Sequence, residues 1–180
     1  AQAQGAVGVQ VGTAFAFCEE CGIIPDLKRR FRDLIRAGAD RVHTDPLASP
    51  TGFPFKIAQL AQTLSDATAF AKRQRICDLG YLRQLFRRSD GSIGYRCAAE
   101  PVADFIRKGG TEAETVGRKC LCNGLTATAG FAQVRDGEAE LPIVTAGDEL
   151  VQLARYFDFS RDSYSAADVI RVLLRGTAVA

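Results

Sequence analysis

Apolar positions recur at helical spacing over several stretches of this chain and alternate over only a few short ones. From Pro25 onward, Leu27, Phe31, Leu34 and Ile35 fall on one face, while Lys28, Arg29, Arg30, Arg32 and Arg36 occupy the remainder. That pattern predicts an amphipathic helix opened by Pro25-Asp26 and stopped at Gly38. Lys56 to Arg75 repeats Ile57, Leu60, Ala61, Leu64, Ala67 and Ala71 at intervals of three and four, which predicts a long helix. Pro101 to Lys108 reads as a short helix ended by Gly109-Gly110. Thr145-Ala-Gly-Asp148 and Ser165-Ala-Ala-Asp168 resemble capping boxes. They would open helices carrying Leu150, Leu153 and Phe157, then Val169, Ile170, Leu173 and Leu174.

The alternating stretches are fewer. Gly8 to Val11 has the small and β-branched character of a short buried strand, and Ala14 to Glu20 is fit to begin a helix after it. Arg41 to Asp45 reads as extended. Pro46 to Pro54 holds three prolines and a glycine, so it builds a shaped loop rather than a regular element. Between Cys77 and Cys97 a turn falls at Ser89-Asp90-Gly91. There is no internal repeat and no low-complexity tract.

Composition narrows the classes. The 180 residues are 47% hydrophobic and 24% charged, as expected of a globular protein with a real core. A net charge of +2 favours neither nucleic acid nor membrane as a partner. The basic positions of the Pro25 helix read as a solvated outer face. No apolar run is long enough to span a bilayer and no leader opens the chain, which points to a cytoplasmic setting. Methionine is absent, and Ala1 to Ala6 reads as the last turn of a helix feeding the strand. Both suggest a piece of something longer.

Two stretches carry candidate chemistry. Where a strand ends in Gly12-Thr13 at a helix start, glycine allows close backbone approach and threonine adds a hydroxyl. Free N–H groups there suit a phosphate. The plain alternative is a buried strand with an ordinary glycine turn. The second stretch is the cysteines, Cys18, Cys21, Cys77, Cys97, Cys120 and Cys122. Nothing indicates secretion, so reduced thiols or a metal site are the readings to weigh. Cys120 and Cys122, joined by Cys77 and Cys97 from neighbouring loops, supply the four thiolates that zinc or an iron–sulfur cluster requires. Arg118 and Lys119 beside them would lower the thiol pKa values. Against that stand plain buried cysteines. His43, the single histidine, has no carboxylate or cysteine at a telling spacing and reads as a turn or surface residue.

Taken together, Gly8-Val-Gln-Val-Gly-Thr-Ala-Phe15, Thr44-Asp-Pro-Leu-Ala-Ser-Pro-Thr-Gly-Phe-Pro54 and the Cys120-Leu-Cys-Asn-Gly run resemble the nitronate monooxygenases, formerly called 2-nitropropane dioxygenases. The resemblance covers nearly the whole chain. It implies an FMN-dependent enzyme on a TIM barrel that oxidises alkyl nitronates with molecular oxygen to a carbonyl compound and nitrite. Gln10, Val11, Gly12 and Thr13 match the positions that contact FMN, largely through its phosphate.

The family's catalytic histidine lies in an upstream Gly-Gly-His segment that has no counterpart here, so no catalytic residue is assigned to this chain. The resemblance thus implies an α/β chain that is the C-terminal fragment of a TIM (β/α)8 barrel followed by an α-rich appended region. Residues 1–45 would be the last barrel strand, its phosphate turn and its helix. Residues 46–180 would be mainly helical, with the cysteine loops. Such a fragment is expected to be inactive alone. Two other readings stand beside it: a cysteine-rich module that binds metal or a partner, and another flavin-dependent barrel enzyme such as an enoyl reductase.

Overall fold

The structure is a computed structural model that describes residues 2–156, 161 and 163–175. The chain packs as two units, one from the described parts of Ala1–Arg41 and Ala146–Ala180, the other Val42–Thr145.

In the first unit a 3₁₀ turn, Gln2–Gln4, leads to the single helical turn α1, Thr13–Ala16, and to α2, Pro25–Arg36. α2 forms as its sequence dictates. Pro25 sits at its start, Asp26 complements the dipole in the first turn, and Arg36 does so in the last. Gly38, at φ +63°, then turns the chain out of the helix. Leu27, Phe31 and Ile35 are buried, and Phe31 meets Phe17 edge to face at 5.3 Å. Arg32, expected on the solvated face, is buried as well.

A 3₁₀ segment, Asp148–Arg155, supplies Leu150 and Leu153 to the same core. It takes the place of the expected α-helix because Thr145 is drawn into a β-bridge with Ile57, leaving Gly147 to open the segment without a side-chain cap. The expected apolar position Phe157 lies outside the described residues. At Ser165 the capping reading holds: its N–H and hydroxyl both donate to Asp168 Oδ2 at 2.9 Å, and its Oγ accepts from the Asp168 N–H at 3.2 Å. The last helix runs Ala166–Arg175, with Val169 buried but Ile170 and Leu174 exposed.

The second unit is built on hairpins. β1, Val42–Asp45, pairs antiparallel with β2, Phe55–Ala58, across the proline-rich loop. Helix α3, Ala67–Lys72, follows, then β3, Gln84–Arg87, and β4, Ile93–Arg96, joined through the Ser89-Asp90-Gly91 turn. Short helices α4, Val102–Arg107, and α5, Glu112–Thr115, precede α6, Leu121–Thr128. A two-residue pair, β5 Val134–Arg135 with β6 Glu138–Ala139, comes last.

The core joins Ala48, Ile57, Leu64, Leu121 and Ile143. The segment after β6 docks along β2 and α6: Ala58 N–H donates to Val144 O at 2.9 Å, and Ile143 N–H donates to Gly124 O at 3.1 Å. Gly124 lets that segment lie against the helix. A Cβ there would stand 2.7 Å from Leu64 Cδ1 and 2.8 Å from Ile143 Cγ2.

Three sequence expectations are corrected. Every sheet among the described residues is a two-stranded antiparallel pair, with no parallel strands, whereas a (β/α)8 barrel is parallel throughout. The chain is therefore a small mixed α/β structure, not the last strand of a barrel with an α-rich appendage. Indeed two of the three hairpins, β3–β4 and β5–β6, and one strand of the other lie in the region read as mainly helical.

Gly8 to Val11, expected as a buried strand, belongs to none of these pairs. Val9 is exposed: with no strand paired beside it, the segment forms no sheet face to bury its side chains, and water meets its backbone groups. The long helix over 56–75 is replaced by β2, turns and α3. Ile57 and its neighbours pair with β1, Gln62 adopts φ +56°, and Asp66 starts a new helix by accepting from Thr68 N–H at 2.9 Å and Ala69 N–H at 3.2 Å.

An ion pair is buried in this unit. Arg73 donates from Nε to Glu140 Oε1 at 2.6 Å and from Nη2 to Oε2 at 2.5 Å. Burial alone would raise the Glu140 pKa, but the bonds and charge of Arg73 outweigh it and hold the carboxyl below its usual range. A carboxylate with a lowered folded-state pKa stabilises the fold above its unfolded value and loses that contribution as pH falls through the folded one.

Glu140→Ala is therefore expected to cost about 3–5 kcal/mol in urea unfolding at neutral pH, since it leaves a buried guanidinium unpaired, and to cost less in acid. Gly124→Ala is expected to cost about 1–3 kcal/mol by the same measurement, through overpacking against Leu64 and Ile143.

Candidate functional site

The turn singled out in the sequence lies at the start of α1. Gln10, Val11, Gly12 and Thr13 line one cavity of about 150 Å³ together with Ala14, Glu149, Gln152, Leu153 and Tyr156. The unit's own contacts hold this arrangement in place. Thr13 Oγ1 accepts from the Gly147 N–H at 2.9 Å, and the buried Tyr164 hydroxyl donates to Ala14 O at 2.5 Å. Burial pushes the Tyr164 pKa up, so the hydroxyl stays a donor. Gly12 is exposed at φ −111°, a conformation open to any residue, and a Cβ built on it meets nothing within 4 Å. The same emptiness surrounds Gly8. Neither backbone strain nor packing within this chain requires glycine at either place.

The chemistry of the lining is polar and mixed in sign. Gln10 and Gln152 offer amide donors, and the backbone of the turn offers N–H groups. None of the lining residues is Lys or Arg, and Glu149 brings a carboxylate. At four residues α1 has too little length for a dipole argument, so the expected contribution of a helix end falls away. The cavity is also smaller than a whole-cofactor pocket, which starts at roughly 300 Å³. What fits is the end of a larger ligand. Glu149, Gln152 and Tyr156 escaped the sequence reading because more than a hundred positions separate them from the turn and no motif links the two.

In the other unit the structure gathers the four cysteines that sequence spacing had grouped. Cys97 and Cys120 are buried with Ala99 in one cluster, and the half-buried Cys77 and Cys122 pack against it. Cys97 follows β4, and Cys120 is the N-cap of α6. Among the described residues no three His, Cys, Asp or Glu side chains are disposed to hold a metal ion.

The thiols differ from one another. The neighbouring Cys97 thiol and the Arg83 guanidinium both favour the Cys77 thiolate. Both effects outweigh burial and bring its pKa down to about 6. Cys97 is pushed up by the Cys77 sulfur and by burial. Burial also raises Cys120, against the pull of Arg73.

Arg118 and Lys119, expected to tune these thiols, are committed elsewhere. Arg118 donates to Ser49 O at 2.7 Å and Leu47 O at 3.0 Å, while Lys119 lies 4.2 Å from the centre of the Phe70 ring and 3.6 Å from Asp45. Arg83, which also donates to Cys77 O at 2.7 Å, takes that role instead. A residue six positions from Cys77 across a glycine turn gave no such signal in the sequence.

The remaining cysteines serve the fold. Cys18 is buried, with its pKa raised by burial, and Lys28 Nζ ties the backbone oxygens of Cys18 and Cys21 to α2 at 2.6 Å each. His43 is exposed on β1, consistent with a surface residue.

No family model, curated protein or solved structure matches this chain. No helix among the described residues is long and apolar enough to cross a membrane.

Thr13→Val keeps the shape of the side chain but leaves the Gly147 N–H without its acceptor. It is expected to lower stability by about 1 kcal/mol in urea unfolding, with Gly12→Ala unchanged by the same measure because its methyl meets open space.

Proposed function

We propose that this chain supplies part of the flavin-phosphate site of an FMN-dependent nitronate monooxygenase. That enzyme would oxidise alkyl nitronates with molecular oxygen to a carbonyl compound and nitrite. The observation that carries the reading is the open glycine backbone of the turn. Gly8 and Gly12 stand where this chain has no need of glycine, and Gln10 to Thr13 line a cavity sized for one end of a ligand. Together with the resemblance of the three motifs, this favours a group that approaches the backbone closely. All six cysteines are free, which supports a reducing, cytoplasmic setting.

The residues fit the phosphate end of FMN and not the whole cofactor. Gly12 clears the approach, Gln10 offers an amide, and Thr13 offers a hydroxyl hydrogen while its oxygen stays engaged with Gly147. Glu149 opposes a dianion, so this part of the site holds a phosphate only where further donors from outside the cavity join it. When bound, the flavin supplies the electron-transfer chemistry. The residues here orient its phosphate and contribute no acid or base.

Titrating the purified protein with FMN and with riboflavin, followed by flavin fluorescence, tests the reading. FMN is expected to bind at least about tenfold more tightly, because riboflavin lacks the phosphate. Gly12→Val is expected to abolish that preference while leaving the unfolding midpoint in place. Equal affinity for the two flavins, or binding unaffected by Gly12→Val, would overturn it.

A further inference from the structure

The geometry points to Cys77 and Cys97 as a reactive dithiol that small disulfides oxidise to an intramolecular disulfide. The inference is independent of the flavin reading. Its basis is an asymmetric pair within one cluster of cysteines. Cys77 is half-buried, whereas Cys97 is 3% exposed and lies in the buried cluster against which Cys77 packs. Sequence distance does not make such a pair. Cys77 lies beyond α3 and Cys97 at the end of β4, twenty residues on, and the β3–β4 hairpin folds the intervening chain back on itself.

The charged and titratable groups around the pair favour a thiolate at the exposed position. Arg83, from the turn before β3, hydrogen-bonds Cys77 and adds its charge, while Glu100 acts against it. Cys120, the N-cap of α6, belongs to the same buried cluster as Cys97, and Cys122 packs against that cluster. Arg75 holds the backbone just beyond Cys97 by donating to Ala98 O at 2.5 Å, Glu100 O at 3.0 Å and Thr115 O at 3.1 Å. It thereby fixes the strand end that presents the second sulfur. The accessible sulfur thus carries the nucleophile, and the buried one carries the proton and waits in the same cluster.

The reaction balances without an outside cofactor. The Cys77 thiolate attacks one sulfur of a small disulfide RS–SR. A Cys77–SR bond forms, the RS–SR bond breaks, and RS⁻ leaves with the electron pair to take a proton from water. Cys97 then loses its thiol proton and attacks the Cys77 sulfur. The Cys77–Cys97 bond forms as the second RS⁻ departs and takes up that proton. Two protein thiols are oxidised and one disulfide is reduced to two thiols. Cys97 is the resolving residue: without it the reaction stops at the mixed disulfide.

The test uses the full chain with oxidised glutathione as the probe. Treated protein is expected to lose two hydrogens in mass, with peptide mapping placing the new bond between Cys77 and Cys97. Cys97→Ser is expected to retain one glutathione on Cys77. On the unsubstituted protein, the iodoacetamide rate at Cys77 is expected to rise with pH through a midpoint of about 6. At neutral pH it should exceed the rate at Cys21, which is also half-buried but lies outside the cluster, by at least about tenfold. These last readouts need no variant to fold. A midpoint near the ordinary thiol value of about 8.5, a bond formed between Cys120 and Cys122 instead, or stoichiometric zinc or iron that shields all four thiols would each overturn the proposal.

Discussion

The larger unit depends on one buried ion pair. Arg73 sits just past α3 and Glu140 just past β6, and their side chains are 7% and 3% exposed. Two charges so far out of water are tolerable only when each is held by several bonds. Glu140 meets that condition with both Arg73 nitrogens and the Leu141 N–H at 2.9 Å. Asn123, fully buried on α6, donates to Asp78 Oδ1 at 2.8 Å and reaches Glu140 Oε2 at 3.4 Å. The network therefore ties α3, α6 and the end of the last hairpin to a single geometry. An apolar substitute would pack as well but would not fix which helix meets which strand.

The thiol cluster depends on the same geometry. Cys120 caps α6 a few residues before Asn123, and its sulfur feels the Arg73 charge. Cys77 follows Arg73 by four residues, beyond the end of α3. Arg73 pairs with Glu140 and Arg75 grips three carbonyl oxygens around Cys97. The segment leaving α3 is thus pinned on both sides before it reaches Cys77. The low pKa of that thiol follows from position. Its neighbours are a thiol and a guanidinium, while burial by itself would have raised it, as burial does for Cys120.

The smaller unit is organised around aromatic and aliphatic contacts. Phe17 and Phe31 meet at one point, and Tyr164 bonds Ala14 O while stacking on Tyr156 with ring centres 6.0 Å apart. These contacts place Thr13 and Gly12 beside the Asp148–Arg155 segment and so create the cavity that the functional reading uses. Tyr156 is the aromatic side chain that lines this cavity, beside the exposed backbone of Gly12.

Local signals were legible wherever a few adjacent residues settle the matter. Pro25 and Gly38 bound α2, Ser165 and Asp168 cap the last helix, and Ser89-Asp90-Gly91 turns the β3–β4 hairpin. Each rests on interactions spanning four residues or fewer. The grouping of Cys77, Cys97, Cys120 and Cys122 was also readable, because cysteine is scarce and its chemistry gregarious.

Periodicity misled at 56–75, where apolar spacing fits a helix but Phe55–Ala58 found a strand partner in β1. It misled again at 8–11, where a strand-like pattern found none. Barrel topology could not be inferred from the turn motif, since a glycine-threonine turn fixes a few dihedral angles and says nothing of which strands lie beside it. Only the tertiary structure decided that Arg83 and not Lys119 faces the reactive thiol, and that Glu149 shares the cavity of Gly12. The physical reason is common to both: electrostatics and cavity shape depend on distances in space, and the sequence records only distances along the chain.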